Sequence, residues 1–248
     1  NLLFETKTAD DIHSVTMGGS FAYDNYKESF DGLVYDRNES RPGIFTEYTY
    51  SPSNIISIVP GIRFDFHNLY GTFFTPRLHL KYNIDENTTL RASAGKGFRS
   101  VNLFAENLNY LASSREFIIV NSPSYEEAWN YGLNLTRYIS INDRELRVTA
   151  EFYRTDFLKQ TIVDVDSDVR QVRFYDLNGK SYSNNYQIEM AYQPIERFDV
   201  TAALRYTDVK SNYGSELLIK PLSSEYKGLL TLSYATEENS WMFDSSFL

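Results

Sequence analysis

Apolar and polar residues alternate along most of this chain, in about eleven segments. Residues 144–156 show the pattern most plainly. Leu146, Val148, Ala150 and Phe152 fall on one side; Arg147, Thr149, Glu151, Tyr153 and Thr155 fall on the other. A period of two is that of a β-strand, whose successive side chains point to opposite faces. The split recurs at Val200, Ala202, Leu204 and Tyr206 against Thr201, Ala203, Arg205 and Thr207, and at Tyr186, Ile188, Met190 and Tyr192 against Gln187, Glu189 and Ala191. Trp129, Tyr131, Leu133 and Leu135 oppose Asn130, Gly132, Asn134 and Thr136; Phe74, Pro76, Leu78, Leu80 and Tyr82 oppose Thr75, Arg77, His79 and Lys81.

The gaps between segments carry a second pattern, in which short and long connections take turns. Residues 51–54, 83–87, 140–144, 193–197 and 235–239 read as short polar turns, and residues 26–42, 66–72, 99–124, 158–180 and 210–221 as long connections. A meander with tight turns on one edge and large loops on the other is the plan of a transmembrane β-barrel. Several segments run to roughly 10–14 residues, beyond the five or six usual in soluble strands and enough for the 9–11 that cross hydrocarbon. The expected fold is therefore all-β: an antiparallel up-and-down meander forming part of a transmembrane β-barrel. Nothing marks an internal domain boundary, so residues 1–248 read as a single barrel segment. Residues 103–114 read as a short helix within the largest connection.

Composition agrees with this reading. There is no run of 18 apolar residues, and the mean hydropathy is −0.42. Alternating faces average out in such a measure, so only a transmembrane helix is excluded. Aromatics make up 16% of the chain, with 20 Tyr and 17 Phe, which suits strands and the aromatic girdles at membrane interfaces. The net charge of −9 argues against a nucleic-acid partner. The lack of cysteine excludes disulfides and thiolate metal sites. No signal peptide is visible at Asn1, and residues 241–248 stop within an alternating segment, so the chain reads as an internal piece of a longer one.

The polar face holds Arg63, Asp65, Arg77, Lys81, Arg91, Arg147, Glu151, Glu189 and Arg205. In a wide barrel this face lines a wet lumen; in a soluble sandwich it meets water.

The middle of the chain resembles the TonB-dependent outer-membrane receptors, particularly those of Bacteroidetes. The resemblance rests on Pro60-Gly61-Ile62-Arg63-Phe64-Asp65-Phe66-His67-Asn68, on Phe74-Thr75-Pro76-Arg77-Leu78, and on Leu90-Arg91-Ala92-Ser93-Ala94-Gly95-Lys96-Gly97-Phe98-Arg99-Ser100. Phe104-Ala105-Glu106-Asn107, Ser114-Arg115-Glu116 and the run from Asn178 to Glu189 follow in family order. Ser100-Val101 departs from the family's usual proline. The resemblance implies a barrel portion without its N-terminal plug domain, in the outer membrane of a Gram-negative cell. It implies active uptake of a scarce nutrient (a siderophore–iron complex, haem or cobalamin) driven by the TonB complex. Implied partners are outer-membrane lipid, the plug and remaining strands of the parent chain, TonB through that parent, and the small nutrient ligand. A passive porin-like barrel and a soluble carbohydrate-binding β-sandwich are the alternatives.

Candidate chemistry is sparse, and we expect no catalytic residue, no metal site and no cofactor. His13, His67 and His79 lack metal-ligand spacing. Asp164, Asp166 and Asp168 imitate the start of an EF-hand loop, but Val169 stands where its glycine belongs and Tyr175 where its glutamate belongs. A solvated acidic strand edge is the expectation there. Glu126 and Glu127 are adjacent and point apart. No GxSxG or phosphate-cradling glycine loop occurs. Ligand recognition is expected on the outer loops, with Asn107, Tyr110 and Arg115 in one and Arg170 and Tyr175 in another as candidates. Arginine and tyrosine there suit an anionic or aromatic chelate.

Overall fold

A computed structural model describes residues 1–121, 125–238 and 240–248. Residues 124 and 239, the last of one expected loop and of one expected turn, lie outside the described residues. In chain order the strands are β1 (Leu2–Lys7), β2 (His13–Tyr26), β3 (Ser29–Phe30), β4 (Leu33–Val34), β5 (Arg37–Tyr50) and β6 (Ile56–His67). Next come β7 (Gly71–Asp85), β8 (Thr88–Ser100), β9 (Glu116–Ile119), β10 (Tyr125–Ile141), β11 (Arg144–Lys159) and β12 (Thr161–Asp164). The last are β13 (Gln171–Asp176), β14 (Ser181–Ile195), β15 (Phe198–Tyr213), β16 (Glu216–Ile219), β17 (Tyr226–Ala235) and β18 (Met242–Phe247).

Twelve of them form one antiparallel wall in the order β1-β2-β5-β6-β7-β8-β10-β11-β14-β15-β17-β18, with β16 folded back on β15. Each wall strand pairs with its neighbours in sequence, which is an up-and-down meander. Among the described residues β1 does not pair with β18, so the wall is an open arc. The longest strand, β10, has 17 residues; at about 3.3 Å per residue and a tilt near 40° it rises about 43 Å. The apolar band of a barrel is about 25 Å tall. That strand therefore stands well clear of the membrane.

Turn chemistry fixes one edge. Asn142 and Asp143 join β10 to β11 with φ of 51° and 61°. Positive φ at both central residues is the type I′ condition, whose twist matches that of paired strands. Glu86-Asn87 and Glu196-Arg197 make equally short links. On the opposite edge the connection expected over 66–72 is much tighter. β6 and β7 pair up to His67↔Gly71, which leaves a three-residue turn, 68–70. The alternation of edges survives there; the length does not. The expected helix over 103–114 reduces to a 3₁₀ turn, Ala105–Asn107, and one α-helical turn, Leu108–Leu111.

The core does not lie within the wall. Leu103, Phe104, Phe117, Val165, Val172 and Phe174 form it, all in the long connections, with Phe30, Leu33 and Tyr110 packed against them. There β12, β13 and β9 make a second sheet, in which β13 and β9 run parallel. Two long connections and the β3–β4 hairpin thus fold into one cap.

Candidate functional site: the lumenal face and the outer cap

The apolar face of the wall is open. Ile62, Phe64, Leu78, Leu133, Leu135, Ile188, Met190 and Leu204 are each at least 36% exposed. No second layer of the described chain covers them, which is what hydrocarbon contact requires and a sandwich forbids. A row of aromatics crosses this face: Phe152 to Tyr186 at 4.9 Å, Tyr186 to Tyr206 at 6.0 Å and Tyr206 to Tyr226 at 4.9 Å. One step further along the strands the same face turns polar, with Arg154 bound to Asp156 at 2.7 Å and to Asn184 at 3.1 Å. That sequence of apolar belt, aromatic row and ion pairs is the profile of hydrocarbon, interface and headgroups.

The opposite face carries the charges expected of a lumen. Arg63 is bidentate to Asp65 at 2.5 and 2.6 Å, and bonds Ser20 at 2.6 Å. Gly43 lies beneath that pair, and a Cβ there would collide with both side chains. Arg77 pairs with Glu47 across Gly61. Arg147 meets Glu189 at 3.0 Å, Asn134 donates to Glu151 at 2.6 Å, and Arg205 donates to Gln187 at 2.9 Å. Arg91 lies beside Lys81 in the register, on the same face. Pairing between β7 and β8 ends at Arg77↔Gly95, so the strand leaves its neighbour at the Gly95/Gly97 segment, in keeping with a bend or close approach at those glycines.

Beneath the cap lies a cluster with no counterpart in the sequence reading. The Arg37 guanidinium donates to Glu39 at 2.6 Å, to Glu28 at 2.7 Å and to Asn102 at 2.5 Å, between the rings of Tyr26 and Tyr35. Its side chain is 6% exposed. Glu28 also accepts from the amide of Phe104 at 3.0 Å. One guanidinium therefore ties the β3–β4 hairpin to the 101–124 connection. Glu39 further takes the Ser100 hydroxyl at 2.7 Å and His67 Nε2 at 3.3 Å. His67 Nδ1 accepts the Leu69 amide at 3.1 Å, so Nε2 carries the proton and is a donor. The imidazole has no free lone pair toward Ser100, and these three residues do not make a nucleophile and its base. Residues 26–42 were expected to be a connection; instead β5 begins at Arg37, which sets Arg37 and Glu39 on one strand face.

The five residues expected to meet ligand are placed as follows. Asn107 Nδ2 donates to the Leu103 carbonyl at 2.8 Å, and Arg115 donates to the Val165 carbonyl at 2.9 Å. Tyr110 packs on the cap core. Tyr175 donates to Asp164 at 3.3 Å, and Arg170 is exposed. Four of them thus serve the cap's own packing; among the described residues only the Arg170 side chain, of the five, makes no such contact. Asp164 corrects another expectation. It is not a solvated edge: it is 4% exposed, and its carboxylate accepts the Ser167 hydroxyl at 2.6 Å and the Ser167 amide at 3.0 Å. Burial opposes its charge, yet these bonds, with the Asp166 amide and the Tyr175 hydroxyl, hold its carboxyl below the ordinary aspartate range. Burial and the charge of Asp164 push the Tyr175 phenol up. Asp166 and Asp168 are exposed. Among the described residues no cluster of three or more His, Cys, Asp or Glu is placed to hold a metal.

Open apolar face, charged opposite face and sorted connections together define a transmembrane β-barrel wall. The profile described as TonB dependent receptor-like, beta-barrel, matches residues 4–245, and the chain belongs to that family. It is accordingly a protein of the Gram-negative outer membrane. The ferric enterobactin receptor of Pseudomonas aeruginosa is 34% identical over 58 residues, 23% of this chain and 8% of that protein. The ferrienterobactin receptor of Escherichia coli K12 is 25% identical over 72 residues, 29% of this chain and 10% of that protein. Among solved structures, a mutant of the Pseudomonas receptor in complex with enterobactin superposes with a TM-score of 0.67 at 14% identity, covering 94% of this chain and 38% of that one. The siderophore receptor PirA of Acinetobacter baumannii gives 0.66 at 14% identity, over 95% and 39%. These likenesses show the fold, and the chain spans less than half of each solved receptor.

Proposed function

We propose that this chain is wall and outer cap of an active importer that takes up an iron-loaded siderophore under the control of TonB. The carrying observation is the folding of the long connections into one cap with its own core, held on a charged lumenal face by Arg37. A cap so fixed over the lumen supports a receptor that recognises its ligand at the outer loops. The names of the curated relatives, both enterobactin receptors, favour a siderophore over haem or cobalamin. The plug, the remaining strands and the TonB complex act through the parent chain. In this reading the chain itself performs no chemistry.

The test is uptake of radioiron bound to enterobactin by iron-starved cells, with and without the parent gene. Loss of uptake on deletion, and an equal loss when TonB or the proton gradient is removed, is the expected result. Uptake that follows external concentration linearly and ignores the gradient would turn the assignment to a passive barrel.

A further inference from the structure

The register sets one lumenal row across the wall: Lys81, Arg91, Asn134, Glu151, Gln187, Arg205 and Lys227. The chain is acidic, with net charge −9, yet four of these seven positions are cations and only one is a carboxylate. Lys81 and Arg91 are direct cross-strand partners, and like charges in that relation repel. Elsewhere on this face three arginines are matched by acids, Arg63 by Asp65, Arg77 by Glu47 and Arg147 by Glu189, while Arg41 lies over the Phe98 ring. Glu151, the row's one acid, is engaged by Asn134. Among the described residues Lys81 and Arg91 make no ion pair and no side-chain hydrogen bond. They border a hollow of about 260 Å³ whose other lining is polar at Ser57, His79, Ser93 and Tyr153 and apolar at Val59, Leu80 and Ala92. Every one of those polar groups is able to donate a hydrogen bond.

We propose that Lys81 and Arg91 form an oxyanion seat on the lumenal wall, whose ligand is one carboxylate- or phosphate-bearing group. A guanidinium and an ammonium side by side satisfy two oxygens of such a group, and its charge removes the repulsion between them. The hollow holds a single anionic group and not a whole metal chelate. The anion has two sources: an acidic side chain from elsewhere in the full-length protein, or a solute entering the lumen. The inference does not depend on which nutrient is imported.

The test uses the full-length protein with Ser93→Cys as its single thiol, any cysteine outside this chain being replaced by serine; Ser93 lines the hollow and this chain has no native cysteine. Rates of reaction with an anionic and a cationic methanethiosulfonate are compared, with folding checked by heat-modifiable gel mobility. For a seat open to solutes, the anionic reagent reacts at least ten-fold faster and inorganic phosphate slows it. For a seat filled by the protein itself, neither reagent reacts until Lys81→Gln/Arg91→Gln raises both rates at least ten-fold. In the open case that double variant abolishes the preference, while the exchange Lys81→Arg/Arg91→Lys keeps it. The single variant Arg91→Gln gives an intermediate effect and serves if the double variant does not fold. A reactive thiol with no charge preference overturns the seat. So does a preference or protection that survives Lys81→Gln/Arg91→Gln.

Discussion

Replacing Ile188 by arginine asks most directly what covers the apolar face. Ile188 stands between Ala150 and Leu204 in the register and is 41% exposed, facing away from the charged lumen. Full burial of an isoleucine is worth about 1.5–3 kcal/mol, so its open part contributes about 0.6–1.2 kcal/mol in lipid. The larger effect is the charge: arginine at mid-membrane on the lipid face of a barrel costs about 2–4 kcal/mol. That is roughly a thirty- to seven-hundred-fold shift in the folding equilibrium. The control is Thr149→Arg, one strand away and on the lumenal face, directly opposite Glu189. The assay is urea titration of the full-length barrel in phosphatidylcholine vesicles, read by heat-modifiable mobility. Ile188→Arg is expected to lose the full amount and Thr149→Arg to stay within about 0.5 kcal/mol of the parent, as surface changes do. Equal losses, or none at Ile188, would refute the assignment of faces.

Further outcomes follow from the same structure. Val148→Arg is expected to cost less than Ile188→Arg in that titration, because Val148 pairs with Arg137, which bonds Thr88 at 3.1 Å and lies 3.9 Å from Asp85 at the short-turn rim. Phe174→Ala, at a residue with no exposed surface, is expected to destabilise the cap by about 3–5 kcal/mol while the wall still folds; faster protease cleavage within 101–121 on intact cells, with unchanged barrel mobility, reports it. Arg37→Met leaves the buried Glu39 and the partly buried Glu28 without their cation, a loss of about 3–5 kcal/mol, and is expected to expose the same segment and lower siderophore uptake. The Asp164 carboxyl titrates below its ordinary value in the folded cap, so its contribution is complete above the unfolded value of about 3.9 and is lost as pH falls through the lower folded one. Cap protection should therefore decline on acidification below about pH 4, and Asp164→Asn should flatten that decline; an unchanged slope in the variant would remove Asp164 as the cause.

The strands, their two faces and the order of the turns were legible in the chain itself. Leu146 to Phe152 against Arg147 to Tyr153 is a local property, since a strand's period forces neighbours apart whatever surrounds it. Asn142-Asp143 announced its turn for the same local reason. The motif around Arg63 and Arg91 likewise placed the chain in its family before any coordinates. What the tertiary structure decided lies mostly between segments distant in sequence. Glu28, Arg37 and Asn102 meet across as many as 74 positions (102 minus 28), and β9 meets β13 in a parallel pairing that no local period encodes. The turn at 68–70 is shorter than its composition suggests, because the length of strand pairing depends on the partner strand. Asn107, Arg115 and Tyr175 looked available because they are polar and lie in loops; packing put their donors to use inside the cap. Alternation is written in each strand one residue at a time, whereas a buried charge cluster exists only where several strands end together.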